Sequence, residues 1–107
     1  MTYGFYRGET PTYIAKPKNF TVSEIQSAKL VIKNGNILTV KDLSDLVADT
    51  DANQLRYDFS QEETLAFKPN SYVTFELTIL TFDKRFEVSE QSWKVGDTYY
   101  NEVMTHD

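Results

Sequence analysis

Glu62 and Glu63 stand side by side in the stretch 60–67, "SQEETLAF", and paired carboxylates are the raw material of general acid–base chemistry. A catalytic pair must converge across a cleft in two different environments. Neighbours on one helical turn point in different directions. The spacing Ser60-Gln61-Glu62-Glu63 instead spells S-x-x-E, the capping box, in which Ser60 accepts from the Glu63 N–H and the Glu63 side chain reaches back to the Ser60 N–H. Both glutamates then lie in a first turn, where the helix dipole favours negative charge. The stretch is read as a short helical turn that buries Leu65 and Phe67 where the chain crosses between sheets. An enzyme built on Glu62 or Glu63 ranks last among the functional readings.

A second acidic group, "DTDAN", places Asp49, Asp51 and Asn53 in the D-x-D-x-N order that opens a calcium loop, with oxygen ligands suited to a hard cation. The match breaks at position six, Gln54 in place of glycine, and at position twelve, Ser60 in place of glutamate. Asp, Asn and Thr are equally the residues of a surface turn, so no metal is expected; Asp49, Asp51 and Asn53 remain the weak candidate set. His106 is the only histidine and lies one residue from the end. A Ser-His-Asp arrangement needs a histidine held by its neighbours. There is no cysteine, which removes thiolate metal sites, a cysteine nucleophile and disulfides. The four glycines form no phosphate-cradling loop. The chain is read as not an enzyme, with no cofactor.

Aromatic residues offer a different chemistry, that of contact. Seven Tyr, seven Phe and one Trp include a tyrosine-rich cluster at each chain end. Tyr3, Phe5, Tyr6, Tyr99 and Tyr100 are the candidate partner-binding residues, whereas Trp93 is read as core between two sheets.

The elements that position these groups are strands. Aromatic and β-branched side chains suit a pleated, half-buried surface. In "YVTFELTILTF", Val73, Phe75, Leu77 and Ile79 alternate with Thr74, Glu76 and Thr78, the period of a strand with one face on a core. The break at "DKR" (83–85) predicts a hairpin into "FEVSEQSWKV". There Phe86 and Val88 have one parity while Trp93 and Val95 have the other, so a bulge near "SEQS" is expected to reconcile them. Asn34-Gly35, between Leu30/Ile32 and Ile37/Val40, predicts a two-residue type I′ turn. "ETPTYIAKPK" reads as an edge or first strand because Pro11 and Pro17 cannot donate to a ladder, and "LRYDF" as another strand. "FTVSEIQS" has room for one helical turn, capped by Thr21 or Ser23. "DLSDLVADTDANQ" reads as a polar loop, and the tail contributes a last strand through Tyr99 to Met104. About seven short strands at this spacing predict an all-β sandwich or barrel, in one domain spanning 1–107.

Charge narrows the partners. Sixteen acidic and eleven basic residues give a formal charge of −5, which opposes a phosphate backbone, and the basic residues are scattered rather than striped. Nucleic acid is not an expected partner. No apolar run reaches the roughly 18 residues of a membrane span, and "MTYGFYRGETPTY" lacks the basic and apolar regions of a signal peptide. Residence in the cytoplasm, or in an assembly built from it, is expected.

Several phrases occur in a characteristic order: "YRGETPTY", "SEIQSAKLVIKNGNIL", "FSQEETLAFKPNSYVTFELTILTFDKR" and "WKVGDTYYNEVM". Together they resemble the small immunoglobulin-like β-sandwich proteins of prophages and tailed phages of Gram-positive bacteria, some encoded near tail or baseplate genes. The resemblance covers most of the chain and none of it is catalytic; Glu76 departs from it, standing where glutamine is expected. It implies a single-domain immunoglobulin-like antiparallel β-sandwich with one short helical turn. It also implies a structural or protein-interaction module of a virion, whose partner is protein, either itself as a homo-oligomer or a larger tail protein. The alternative reading is a carbohydrate-binding module with calcium in the 49–53 loop.

Overall fold

Alternating apolar residues from Val73 to Ile79 form the spine of the molecule. In the computed structural model, which describes residues 4–96, this run is the strand Ser71–Thr81, buried at every second position. In chain order the strands are β1 (Phe5–Tyr6), β2 (Thr12–Ala15), β3 (Ile25–Asn34), β4 (Ile37–Asp42), β5 (Val47–Asp49), β6 (Gln54–Asp58), β7 (Ser71–Thr81) and β8 (Phe86–Gly96). The helix α1 spans Gln61–Leu65, and single 3-10 turns cover Val22–Glu24 and Leu43–Asp45. One sheet has the order β1-β8-β7-β3-β4 and the other β2-β6-β5. All the pairings are antiparallel except β1 on β8. The protein is therefore all-β, two sheets facing each other across one apolar core.

That core is largely aromatic. Tyr13 from β2 stacks on Phe75 from β7 with ring centroids 4.7 Å apart, and Trp93 from β8 lies 4.6 Å from Phe75 and 6.2 Å from Tyr13. Phe59 and Phe67, on either side of α1, meet edge to face at 6.0 Å. Trp93 is part-buried against this cluster, as expected of a residue between sheets. Phe67 is buried as expected, but the innermost residue of α1 is Thr64 rather than Leu65.

The capping box is present in full: the Ser60 Oγ accepts from Glu63 N at 3.2 Å and Glu63 Oε1 accepts from Ser60 N at 2.9 Å. Thr21 caps the first 3-10 turn, with its N–H donating to Glu24 at 2.7 Å.

Three expectations are corrected. The β3–β4 turn is centred on Gly35-Asn36, since Asn34 pairs with Ile37. Gly35 has φ +58 and Asn36 is not in the positive-φ region, the type II′ arrangement with glycine first. Asn34 is withheld from the turn because its buried side chain is used elsewhere: it donates to Ser71 Oγ and Tyr72 O, both at 2.8 Å, and accepts from Lys68 N at 2.9 Å. The 43–53 stretch is not all loop; it contributes β5, an edge of the smaller sheet. Finally, β8 has no bulge. It follows β7 through ten consecutive pairs from Ser71–Val95 to Leu80–Phe86, and the one register shift among the strands lies in β3 between Ile25 and Ser27. The strand expected from Tyr99 to Met104 lies outside the described residues.

Candidate functional site

The sequence phrases "RGET" and "SQEETLAF" turn out to be halves of one seam. Arg7 donates to the Leu65 carbonyl at 2.7 Å, Gly8 N to Thr64 Oγ1 at 2.9 Å, and Thr64 Oγ1 to the Glu9 carbonyl at 2.8 Å. Gly8 sits at φ +88, a conformation that glycine adopts without steric cost. These bonds fasten α1 to the segment after β1. Their residues are spent on the fold.

Glu63 is likewise spent. Its second oxygen accepts from the Tyr57 hydroxyl. Burial pushes the Glu63 carboxyl up, but the bonds from Tyr57 and Ser60 and the charge of Lys41 together outweigh it and hold the group below its ordinary range. Burial, and then the Glu63 carboxylate, push the Tyr57 phenol up. Lys41 lies 5.2 Å above the Tyr57 ring. The cavity beside Glu63, between Ile32, Ile37, Thr39, Phe59 and Phe67, holds about 170 Å³, less than the roughly 300–1,000 Å³ usual for a ligand pocket. Glu62 lies in the first turn of α1 and is exposed.

The 49–53 loop does not gather a ligand set. Asp49 accepts from Ala52 N at 3.0 Å, closing its own turn. Asn53, at φ +52, turns its oxygen onto the Val22 N–H at 2.8 Å, tying the loop to the first 3-10 turn. Asp51 lies in the turn itself. Among the described residues, no three of His, Cys, Asp and Glu converge as metal ligands.

Of the candidate contact residues, Tyr3, Tyr99 and Tyr100 lie outside the described residues. Phe5 is corrected: it is buried at 4 % exposure, edge-on to Phe67 and Trp93 at 6.0 Å each, and so belongs to the core. Tyr6 is on the surface.

The exposed apolar surface lies elsewhere. Because β8 carries no bulge, Phe86 and Val88 point away from the core, 71 % and 62 % exposed. Leu80 is paired with Phe86 and so shares its outward face, and Phe82, just past the strand, is 65 % exposed. Four apolar residues thus cluster at the hairpin end of the larger sheet's outer face.

That end is tied to the segment before β3. Arg85 donates to the Asp83 carboxylate at 2.9 Å, to the Asn19 carbonyl at 2.8 Å and to Glu24 at 3.2 Å, and stands 5.6 Å above the Phe20 ring. The Phe82 N–H donates to the Glu24 carbonyl at 3.0 Å. Lys84 closes the turn at φ +68.

The edge of the same strand is open. Among the described residues, β1 covers β8 only at Val95 and Gly96, extended by Gly4 N donating to the Lys94 carbonyl at 2.9 Å. That bond shows which way the strand's backbone faces. Even-numbered residues of β8 turn their N–H and C=O outward, away from β7, while odd-numbered ones face β7, as the bond from Thr81 N to the Arg85 carbonyl at 3.0 Å also shows. Phe86, Val88, Glu90 and Ser92 therefore present backbone donors and acceptors with no backbone partner among the described residues.

The outer apolar cluster was not anticipated from sequence, and the exposed edge was expected at the proline-bearing first strand rather than on β8. The signal was there, in the change of hydrophobic parity between Val88 and Trp93, but it was read as a bulge. Among the described residues, no helix is long and apolar enough to cross a membrane. Comparison of the chain with protein families, with curated proteins and with solved structures gives no match in any of the three.

Proposed function

We propose that this is a non-catalytic, immunoglobulin-like protein-interaction module, a structural component of a phage or prophage particle associated with its tail or baseplate. The observation that carries the interaction reading is the apolar cluster Leu80, Phe82, Phe86 and Val88 on an outer sheet face. Contiguous apolar surface of this kind is costly to leave in water and marks sites of protein contact. The phage context rests on the sequence resemblance, and the partner it favours is a larger tail protein or another copy of this chain. The side chains with chemistry to offer, Glu63, Tyr57 and Asn53, are engaged in bonds that hold the fold.

The test is co-expression with the products of flanking genes, followed by size-exclusion chromatography. The chain is expected to co-migrate with at least one product, and Phe86→Glu/Val88→Glu to elute alone while retaining its circular dichroism. Equal co-migration of both forms, no co-migration with any product, or glycan binding lost on adding a calcium chelator would overturn the reading.

A further inference from the structure

We propose that two copies of this chain join edge to edge through β8, antiparallel, to make one continuous sheet across a two-fold axis at Ser89. The inference deepens the interaction reading above and rests on it, naming the partner as a second copy.

An open sheet edge is a template for another strand, and proteins that stay monomeric blunt theirs with proline, bulges, charge or a covering segment. From Phe86 to Lys94, β8 has no proline, no glycine and no register shift against β7. The smaller sheet lies beneath it, not beside it. Gln91 donates to the Ile14 carbonyl at 3.3 Å and Lys18 N to Glu87 at 3.4 Å, contacts that use side chains of the inner face and leave the edge backbone without a partner among the described residues. On the opposite margin of the sheet, β4 spans six residues, Ile37–Asp42.

The open length selects both the partner and the register. It is bounded at one end by Gly4 on Lys94 and at the other by the 82–85 turn, leaving the seven residues 86–92. A second β8 running antiparallel matches all of them only when centred on Ser89. Phe86 then faces Ser92 of the other copy, Val88 faces Glu90, Glu87 faces Gln91, and Ser89 faces itself. The outward-facing groups of Phe86, Val88, Glu90 and Ser92 fall into hydrogen-bonded pairs, as an antiparallel ladder requires. No like charges stand opposite each other, a juxtaposition that destabilises a pair. Sliding two residues one way sets Glu90 against Glu90 and calls on the Lys94 carbonyl, already taken. Sliding the other way leaves Ser92 facing the turn. The Ser89-centred ladder also joins the two Phe86/Val88 clusters across the axis into one apolar surface. Two copies fit a two-fold, self-complementary contact of this kind.

The experiment uses the full chain. Light scattering from micromolar to near-millimolar concentration should rise from one chain mass, 12.4 kDa, towards twice that value. Val88→Pro removes only an edge-facing N–H, a position where proline is tolerated, and should stay at the monomer mass with its thermal transition retained. Should that variant not fold, Ser89→Cys supplies the second test. The chain has no cysteine, and residues facing each other in a non-hydrogen-bonded antiparallel pair have Cα atoms about 4.5 Å apart, within disulfide reach. Ser89→Cys should oxidise to a covalent dimer, while Glu87→Cys should not. Amide exchange should show Phe86, Val88, Glu90 and Ser92 protected only at high concentration. A strict monomer throughout overturns the proposal, as does a dimer that Val88→Pro leaves intact or equal cross-linking at positions 87 and 89. If the chain is monomeric yet still co-migrates with a neighbour's product, the dimer fails and the interaction reading survives.

Discussion

The two halves of β8 obey the same alternation and meet opposite fates. From Gln91 to Gly96 the odd residues Trp93 and Val95 point inward onto Phe75 and Phe5, polar Ser92 and Lys94 point outward, and β1 closes the margin at the far end, from Lys94 to Gly96. From Phe86 to Glu90 the pattern inverts: Phe86 and Val88 face water, while Glu87 and Ser89 face the other sheet. The backbone does not change phase between them. Ten unbroken pairs with β7 hold β8 in one register, and a bulge would break that ladder while β7 keeps its own face, Val73 to Ile79, on the core. A reversal of hydrophobic parity that the ladder does not absorb therefore marks surface that the fold leaves apolar, at a cost in solvation.

The comparison predicts the largest contrast for aromatic truncation. Trp93→Ala removes a ring packed on Phe75 and the edge of Phe5, and as the loss of a part-buried aromatic should cost about 3 kcal/mol, the low end of the range for core aromatics. Phe86→Ala, seven residues earlier on the same strand, should change the stability of the monomer by no more than about 0.5 kcal/mol. Urea unfolding at low protein concentration measures both. A cost at Phe86 approaching that at Trp93 would mean that the open half is packed after all.

Next comes the closure at β1. A Cβ added to Gly4 would stand 2.6 Å from the Trp93 Cβ, nearer than side chains approach. The short parallel strand seats on β8 because residue 4 is glycine. Gly4→Ala should push β1 outward and cost about 1–3 kcal/mol, the range for overpacking. Its particular signature is faster exchange at the amide of Arg7, which donates to the Gly96 carbonyl, with the 86–90 half unchanged. Equal loosening of both halves would show that β8 responds as a unit and that the contrast is only one of exposure.

What the sequence disclosed and what it withheld follow the same division. The spine Val73–Ile79, the Ser60 capping box and the placing of Trp93 in the core were legible because each rests on local chemistry or on one strand facing one core. The turn at Gly35-Asn36 was misplaced by one residue because the Asn-Gly preference is local. The demand that moved Asn34 inward came from Lys68, Ser71 and Tyr72, some 35 positions away. Phe5 was taken for a surface aromatic because a two-residue parallel strand leaves no period to read. Phe86 and Val88 were hidden by the assumption that apolar residues in a strand seek the core, which holds only where a second layer covers them. The candidate surface was thus the part of the molecule that local rules described worst, as expected where a sequence serves something beyond its own fold.

The smallest effect is electrostatic and falls on the open half alone. Glu24 is held below its ordinary value by the Thr21 N–H and, with it, by Arg85; Asp83 is held low by the Thr81 hydroxyl and again by Arg85. A carboxyl whose value is lower in the folded state contributes stability that is present above its unfolded value and is lost as pH falls through the folded one. The ordinary values are 4.5 and 3.8, so the hairpin end should be unaffected from neutrality to about pH 5 and loosen progressively below about pH 4. Among the described residues, the covered half has no such group in its contacts. Amide exchange followed against pH should therefore show residues 81–86 opening in acid while Trp93 and Val95 stay protected. Arg85→Ala should weaken the hairpin end already at neutral pH and flatten its acid response. Parallel opening of both halves in acid would place the responsible carboxylates in the shared core wall, with Glu63 the first to replace by glutamine.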